Sequence, residues 1–290
     1  MNAALRLRCL ARDDLAFADT LRAQEGWNQT LRDWERVLAM APAGCFLVEW
    51  EGKPAGTATT TIYGQELAWV GMVLVQAGFR RRGIGRALLE HCLGYLRGRG
   101  VRCIKLDATP KGKPIYESLG FREEWTLRRW ERERRSEQGE SESTSSESGN
   151  AHVAELSAVA PLDTEVFGVE RSTLLNALAQ SGPFQMERNS AGAASGFGMW
   201  RPGARASYLG PIVASSAVVG EKLVEGLLGA AEADGARTFW DLPDCNQAAV
   251  ACAARHGFRV QRELTRMVLG ENTNPGTPER VWGLAGPEVG

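Results

Sequence analysis

The stretch VQAGFRRRGIGRALLE, residues 75–90, decides how the chain is read. Three arginines run into Gly-Ile-Gly, and a helical pattern starts at once. A strand that ends at Val75, turns and enters a helix presents several unpaired backbone N–H groups at one spot. The helix dipole adds partial positive charge there. Gly83 and Gly85 carry no Cβ, so an anion can come close to the backbone around Ile84. Arg80, Arg81, Arg82 and Arg86 strengthen the field and can bond phosphate oxygens. The turn is built to hold a pyrophosphate; the competing reading is an ordinary strand-to-helix turn on a basic surface. Two phosphate loops are excluded. A Walker A loop needs Lys followed by Ser or Thr, which is absent after Gly85. A dinucleotide fingerprint needs a third glycine where Leu88 stands.

Around this stretch the 290 residues read as an ordinary globular chain, 43% apolar and 24% charged. No apolar run nears the ~20 residues of a membrane span, and no signal peptide opens the chain. The expected location is the cytoplasm, with no membrane partner. The net charge of −1 hides an asymmetry. Residues 1–130 hold 20 basic against 14 acidic side chains, and residues 151–290 hold 11 against 15. The first part can attract an anion, but no basic stripe marks a nucleic-acid partner. Cys9, Cys45, Cys92, Cys103, Cys245 and Cys252 form no CxxC pair, so packed thiols and no metal are expected. His91, His152 and His256 pair in sequence with no nucleophile and acid, and no triad is assigned.

Residues 131–150, ERERRSEQGESESTSSESGN, hold no aliphatic or aromatic side chain. They read as a flexible acidic Ser/Glu-rich linker, or, as far as Arg135, as a charged continuation of the strand before it. Before the linker, residues 5–10 alternate as a strand. Residues 13–25 and 30–40 carry helical spacing, with Asp13 and Thr30 as N-caps. Residues 45–50, 55–63 and 66–75 are three strands. Residues 83–98 form a helix with Ile84, Leu88, Cys92 and Leu96 on one face. Strand 101–107, a short helix around 113–119 and strand 121–130 complete a mixed α/β sheet. After the linker a similar order returns, with strands at 195–200 and 204–214, helix 216–234, then strand, helix and strand to Gly270. Gly71 to Gly120 and Gly210 to Gly257 span similar lengths, and both close on Gly-Phe. This is two copies of one fold: 1–130, then 151–290.

Arg80-Arg81-Arg82-Gly83-Ile84-Gly85 matches Gln/Arg-x-x-Gly-x-Gly/Ala. It resembles the acetyl-CoA-binding motif of the GNAT superfamily of N-acetyltransferases. Val75-Gln76-Ala77-Gly78-Phe79-Arg80 is similar to the strand exit that precedes it there, with Ala77 for the usual proline. Tyr116 stands four residues before Gly120-Phe121, where the family carries a tyrosine, and Thr109 replaces the family's asparagine. Gly26-Trp27-Asn28-Gln29-Thr30 and residues 107–121 look like a bacterial group of tandem GNAT proteins. Residues 165–178, 208–213 and 241–258 look like that group's second domain.

The resemblance implies an acetyl-CoA-dependent enzyme with no metal. Backbone groups of Val73, Leu74 and Val75 would pair with the pantetheine arm. Residues Arg80 to Arg86 would hold the pyrophosphate, with Thr109 beside the arm. A neutral amine would attack the thioester, a backbone N–H would stabilise the carbonyl oxygen, and Tyr116 would protonate the leaving thiolate. Tyr116 also reads as a packing phenol. Glu25, Trp27 and Asn28 are the acceptor-site candidates. Glu25, Glu66 and Glu117 compete as general base, against the reading of each as a solvated surface carboxylate, which composition favours. Trp27, Trp34 and Trp69 read as pocket or as core. The second copy has ASSAVVGEKL (214–223) at the turn, with no arginine, and is expected to bind no coenzyme A. It would wall the acceptor cleft or present a homodimer surface, with Trp240 and Asp241 as further acceptor contacts. The expected acceptor is a small-molecule amine. A protein lysine or N-terminus, and a non-catalytic acyl-CoA sensor, stay open.

Overall fold

The computed structural model describes residues 5–133, 151–233 and 237–290. From residue 134 onward the expected linker lies outside them; Glu131 and Arg132 belong to the preceding strand, not to a linker. In the first half the elements are β1 (Leu5–Cys9), α1 (Leu15–Gln24), α2 (Leu31–Met40), β2 (Cys45–Trp50), β3 (Lys53–Tyr63), β4 (Leu67–Val75), α3 (Ile84–Gly98), β5 (Cys103–Ala108), α4 (Lys113–Ser118) and β6 (Arg122–Arg132). In the second half they are α5 (Ala151–Phe167), α6 (Ser172–Ala179), β7 (Phe184–Arg188), β8 (Ala194–Arg201), β9 (Ser207–Ala214), α7 (Ala217–Ala233), β10 (Thr238–Pro243), α8 (Gln247–Arg255), β11 (Arg259–Gly270) and β12 (Val281–Gly283).

Local chemistry sets these boundaries. Thr30 opens α2 as expected, its backbone N–H donating to Asp33 Oδ2 at 2.7 Å. Asp13 does not cap α1. It sits in a 3-10 turn, Arg12–Asp14, because the Asp14 carboxylate accepts from Ala11 N at 2.8 Å and pairs with Arg8 at 2.6 Å. The helix therefore starts two residues later than the spacing predicts. The apolar face of α3 (Ile84, Leu88, Leu89, Cys92, Leu93 and Leu96) is buried against Phe46, Val48, Ala58, Ala68, Val70, Ile104 and Leu106 of β2 to β5. Each such leucine contributes about 1.5–3 kcal/mol. That burial fixes the start of α3 against the end of β4.

The chain forms two compact units, and neither is contiguous in sequence. The first comprises the chain up to Glu124 together with Arg266–Thr273 and Pro287–Gly290. Its strands run in the order β1-β2-β3-β4-β5, and the end of β11 follows β5. The second comprises Trp125–Thr265 and Asn274–Gly286. Its strand order is β6-β10-β9-β8-β7, with β12 also paired to β9. Each unit thus takes a strand from the other half of the chain. Within the first unit, Arg266 of β11 makes a two-pronged ion pair with Asp107 of β5, both contacts at 2.9 Å. Within the second, Arg129 of β6 does the same to Asp241 of β10 at 2.7 and 2.6 Å. Buried forks of this kind fix register, and breaking one strands a charge away from water.

Candidate active site

In the first unit β4 pairs in parallel with β5 only from Leu67–Cys103 to Trp69–Lys105. Beyond Trp69, among the described residues, no strand pairs with the β5 side of β4. On its other side β4 follows β3 to the end, but the register slips between Thr57 and Thr59. The slip is a bulge at Met72, whose φ is 50°. Thr57 Oγ1 donates to Met72 O at 3.0 Å and holds it. Val73, Leu74 and Val75 lie just past the bulge, on the stretch where β4 and β5 have parted.

The turn that follows carries a run of backbone N–H groups ahead of α3. Arg81 and Gly83 both have positive φ, 62° and 79°. The first backbone bond of α3 is Ala87 N to Gly83 O at 3.0 Å. No side chain caps the helix, and among the described residues the N–H groups from Arg81 to Arg86 have no partner. A Cβ on Gly83 would meet nothing within 4 Å, and one on Gly85 only Val75 Cγ2 at 3.7 Å. The space beside both glycines is open.

The four arginines are not equivalent. Arg80 braces the turn, donating to Val75 O at 3.0 Å and pairing with Glu25. Arg82 lies over the rings of Trp50 and Phe79, at 5.4 and 5.7 Å. Arg86 is bound to Glu90 and Ser118. Among the described residues Arg81 and Arg82 have no ion pair, and of these two only Arg82 has a ring contact.

Tyr116 rides on α4, packed against the core under α3 and edge-on to Phe121 with centroids 6.0 Å apart. Among the described residues its hydroxyl makes no hydrogen bond. Burial pushes the phenol up to about 12, so it stays protonated at neutral pH. Thr109 starts the turn into α4: its hydroxyl accepts from Gly112 N at 3.1 Å, and its carbonyl from Lys113 N at 2.9 Å.

The face of β3 and β4 opposite α3 holds a buried polar group of residues. Thr59 pairs with Gly71 and Thr61 with Trp69 across the two strands, so all four share that face. Pro287–Gly290 crosses it. Trp69 Nε1 donates to Pro287 O at 3.0 Å, Tyr63 Oη to Val289 O at 2.7 Å, and Gln29 Nε2 to Glu288 Oε2 at 2.7 Å. Asn28 is buried beside them in sequence, and Trp27 is half-buried. Trp34 and Trp69 are fully buried core residues. Glu25 is drawn to Arg80, and Glu66 to Arg102 at 2.7 Å; Glu117 is exposed. None of the three carboxylates expected as a base belongs to this polar group. Gln29 and Glu288 escaped the sequence reading. Gln29 stood inside a quoted motif, whereas nothing in the sequence around Glu288 signals its return to β4.

The second unit repeats the parting of strands and then fills it. β10 pairs with β9 only from Thr238–Ser207 to Trp240–Leu209. In the gap, β12 pairs antiparallel with β9 at Val213 and Ile212. Trp240 Nε1 donates to Trp282 O at 2.6 Å, and Leu284 N donates to Asp241 O at 3.1 Å. Asn246 donates to Val281 O at 2.9 Å. The Trp282 ring lies against the first turn of α7, where a Cβ on Gly220 would come within 2.2 Å of it. The protein's own chain occupies the slot. Trp240 and Asp241 are both wholly buried, Asp241 between Arg129 and Tyr208.

Among the described residues no cluster of His, Cys, Asp and Glu could hold a metal, and no helix is long and apolar enough to cross a membrane. Family comparison matches residues 11–121 to the acetyltransferase (GNAT) family and residues 159–283 to an acetyltransferase (GNAT) domain. A mycothiol acetyltransferase of Thermomonospora curvata is 34% identical over 110 residues, 37% of this chain and 37% of its own. A ribosomal protein bS18-alanine N-acetyltransferase of Escherichia coli is 38% identical over 87 residues, 29% of this chain and 57% of its own. The chain spans 37% to 63% of the length of the curated relatives it matches. A solved structure of a putative acetyltransferase from Pyrococcus horikoshii shares the whole fold. Its TM-score is 0.79 at 24% identity, covering 100% of this chain and 97% of that one.

Proposed function

Since the chain belongs to the GNAT superfamily of acetyltransferases, with one such domain in each half, we propose that it is an N-acetyltransferase acting on the primary amine of a small molecule, in the cytoplasm. The first half of the chain carries the catalytic domain, completed by Arg266–Thr273 and Pro287–Gly290, and the second half carries a GNAT-like domain that takes no coenzyme. The observation that carries this reading is the unpartnered amide run from Arg81 to Arg86 beside the parted strands β4 and β5.

Acetyl-CoA, when bound, supplies an acetyl thioester and a diphosphate. The amides of Arg81 to Arg86 hold the diphosphate, with Arg81 the side chain available to it. Arg80 positions the turn through Val75 and Glu25. Val73, Leu74 and Val75 offer backbone groups to the pantetheine arm, with Thr109 beside it. A backbone N–H next to the bulge polarises the carbonyl. Tyr116 keeps its proton at neutral pH and gives it to the departing sulfur. Asn28 and Trp27 border the acceptor side, and Glu25 serves the phosphate turn instead.

A small acceptor is favoured because Pro287–Gly290 lies over the face of β3 and β4 that an extended peptide would need. The similarity to the E. coli ribosomal-protein enzyme favours a second reading, a protein N-terminus. Coenzyme A release measured with acetyl-CoA against amino acids, polyamines, amino sugars and N-terminal peptides tests both. Turnover with a small amine supports the first reading, and turnover with peptides alone replaces it by the second. Binding of acetyl-CoA with no turnover on any amine would leave a sensor.

A further inference from the structure

Met72 interrupts β4 with a left-handed backbone, φ 50°, while carrying a full side chain that is buried. Glycine takes this conformation freely, and a side chain such as that of Met does not. What holds it is Thr57 Oγ1, which donates to Met72 O at 3.0 Å from a wholly buried position on β3. Thr57 pairs with Leu74 and Thr59 with Gly71, so Met72 and Val73 together stand opposite Ala58. The hydroxyl therefore sits at the one place where β4 gains a residue on β3.

The direction of that bond sets the direction of its neighbour. A trans peptide keeps its C=O and its N–H on opposite sides. With Met72 O turned to Thr57 on β3, the Val73 N–H of the same peptide plane points away from β3. That is the side from which β5 has departed, because β5 pairs with β4 only as far as Trp69. Val73 also packs against the apolar cluster under α3, where a peptide dipole is weakly screened.

We propose that Thr57 is a positioning residue for acetyl transfer: by holding the Met72 carbonyl it sets the Val73 N–H toward the thioester carbonyl, which that N–H polarises. Without the hydroxyl, the Met72–Val73 peptide is free to rotate toward ordinary strand geometry, and the donor leaves its target. Thr57 acts through this peptide and needs no contact with coenzyme or amine. The role rests on the acetyltransferase reading and adds to it the side chain that governs the donor.

The test uses the full chain with acetyl-CoA isotope-labelled at its carbonyl carbon, followed by infrared difference spectroscopy, with coenzyme A affinity measured beside it by calorimetry. In the wild type, binding is expected to move the carbonyl stretch to lower frequency, as a hydrogen bond to its oxygen does. Thr57→Val keeps the shape and loses the hydroxyl. It is expected to abolish most of that shift and to lower kcat about ten-fold with an amine that is turned over, while coenzyme A affinity is unchanged. Thr57→Ser is expected to keep the shift, and Thr57→Ala replaces Thr57→Val should that variant not fold. An unshifted carbonyl in the wild type, or a shift that survives loss of the hydroxyl, overturns the inference. So does an equal loss in Thr57→Ser, which would make packing at this position the cause. A carbonyl that is polarised through Thr57 while no amine is acetylated would sink the acetyltransferase reading and leave the positioning role standing. No binding of either coenzyme form to the wild type would sink both.

Discussion

β4 and β9 are the same strand made twice. Each follows a parallel neighbour for three paired residues, Leu67–Trp69 in one unit and Ser207–Leu209 in the other, and then parts from it. In the second unit the gap is closed by Val281–Gly283, with Asn246 gripping Val281 and Trp282 against α7. In the first, among the described residues, no strand pairs with the β5 side of β4 beyond Trp69, and the amides ahead of α3 have no backbone partner. A parted pair of strands exposes backbone groups that must be satisfied, either by the chain or by a ligand. The choice is written in few residues. Gly83 stands at an open turn and Gly220 against a tryptophan ring. Tyr116 precedes Gly120 by four residues, and Ala253 holds that place before Gly257.

The largest expected effect is on the filled gap. Trp282→Ala should cost about 3–5 kcal/mol of stability in urea unfolding, while coenzyme A binding stays at one per chain. A second equivalent bound would mean that β12 alone had been blocking a working site. Next comes the open gap. Gly83→Glu puts a carboxylate and a strained positive φ into the amide run. Coenzyme A affinity by calorimetry should fall about 100-fold, or 2.7 kcal/mol. Full retention would mean that the diphosphate sits elsewhere.

Tyr116→Phe should lower kcat about ten-fold or more with coenzyme A affinity unchanged. The phenol donates only while protonated, and that form is lost as pH rises through about 12. The wild-type rate should therefore show no falling limb between pH 8 and 10 that Tyr116→Phe removes. Such a limb would return the phenol to an ordinary value and break the burial argument. The smallest effect belongs to Thr109→Asn, which gives the first unit the asparagine of the second. Acetyl-CoA affinity should rise about three-fold, the worth of one modest hydrogen bond. A loss would show that the Thr109 hydroxyl matters more for starting α4.

The glycine turn ahead of α3 was legible because its signals are local. Arginines, two glycines and the onset of helical spacing sit within a dozen residues, and the α3 face follows by period. The repeat was legible through Gly-Phe endings. Asp13 misled because capping by Asp14 depends on Arg8, six residues back and on a strand. The second half hid more: α5, α6 and β7 carry no strong alternation, and β12 is three residues long. Glu288 was beyond reach because its partners, Gln29 and Gly71, lie more than two hundred residues away. Lys105 and Asp107 read as strand polar residues; only the return of Arg266 and the burial of Glu124 make them ion pairs. Burial holds the Lys105 amine below its usual range, despite Glu124 at 2.8 Å.

The exchange of strands between the two halves has a consequence for how the molecule is made. On the ribosome, the first unit has its cradle within the first hundred residues but waits for Arg266–Thr273 and Pro287–Gly290 before its sheet and its Gln29 partner are complete. At about 5–20 residues per second the nascent chain spends roughly 10–40 s in that half-finished state. Its exposed β5 edge is then a place where a chaperone, or a neighbouring nascent copy, could bind first.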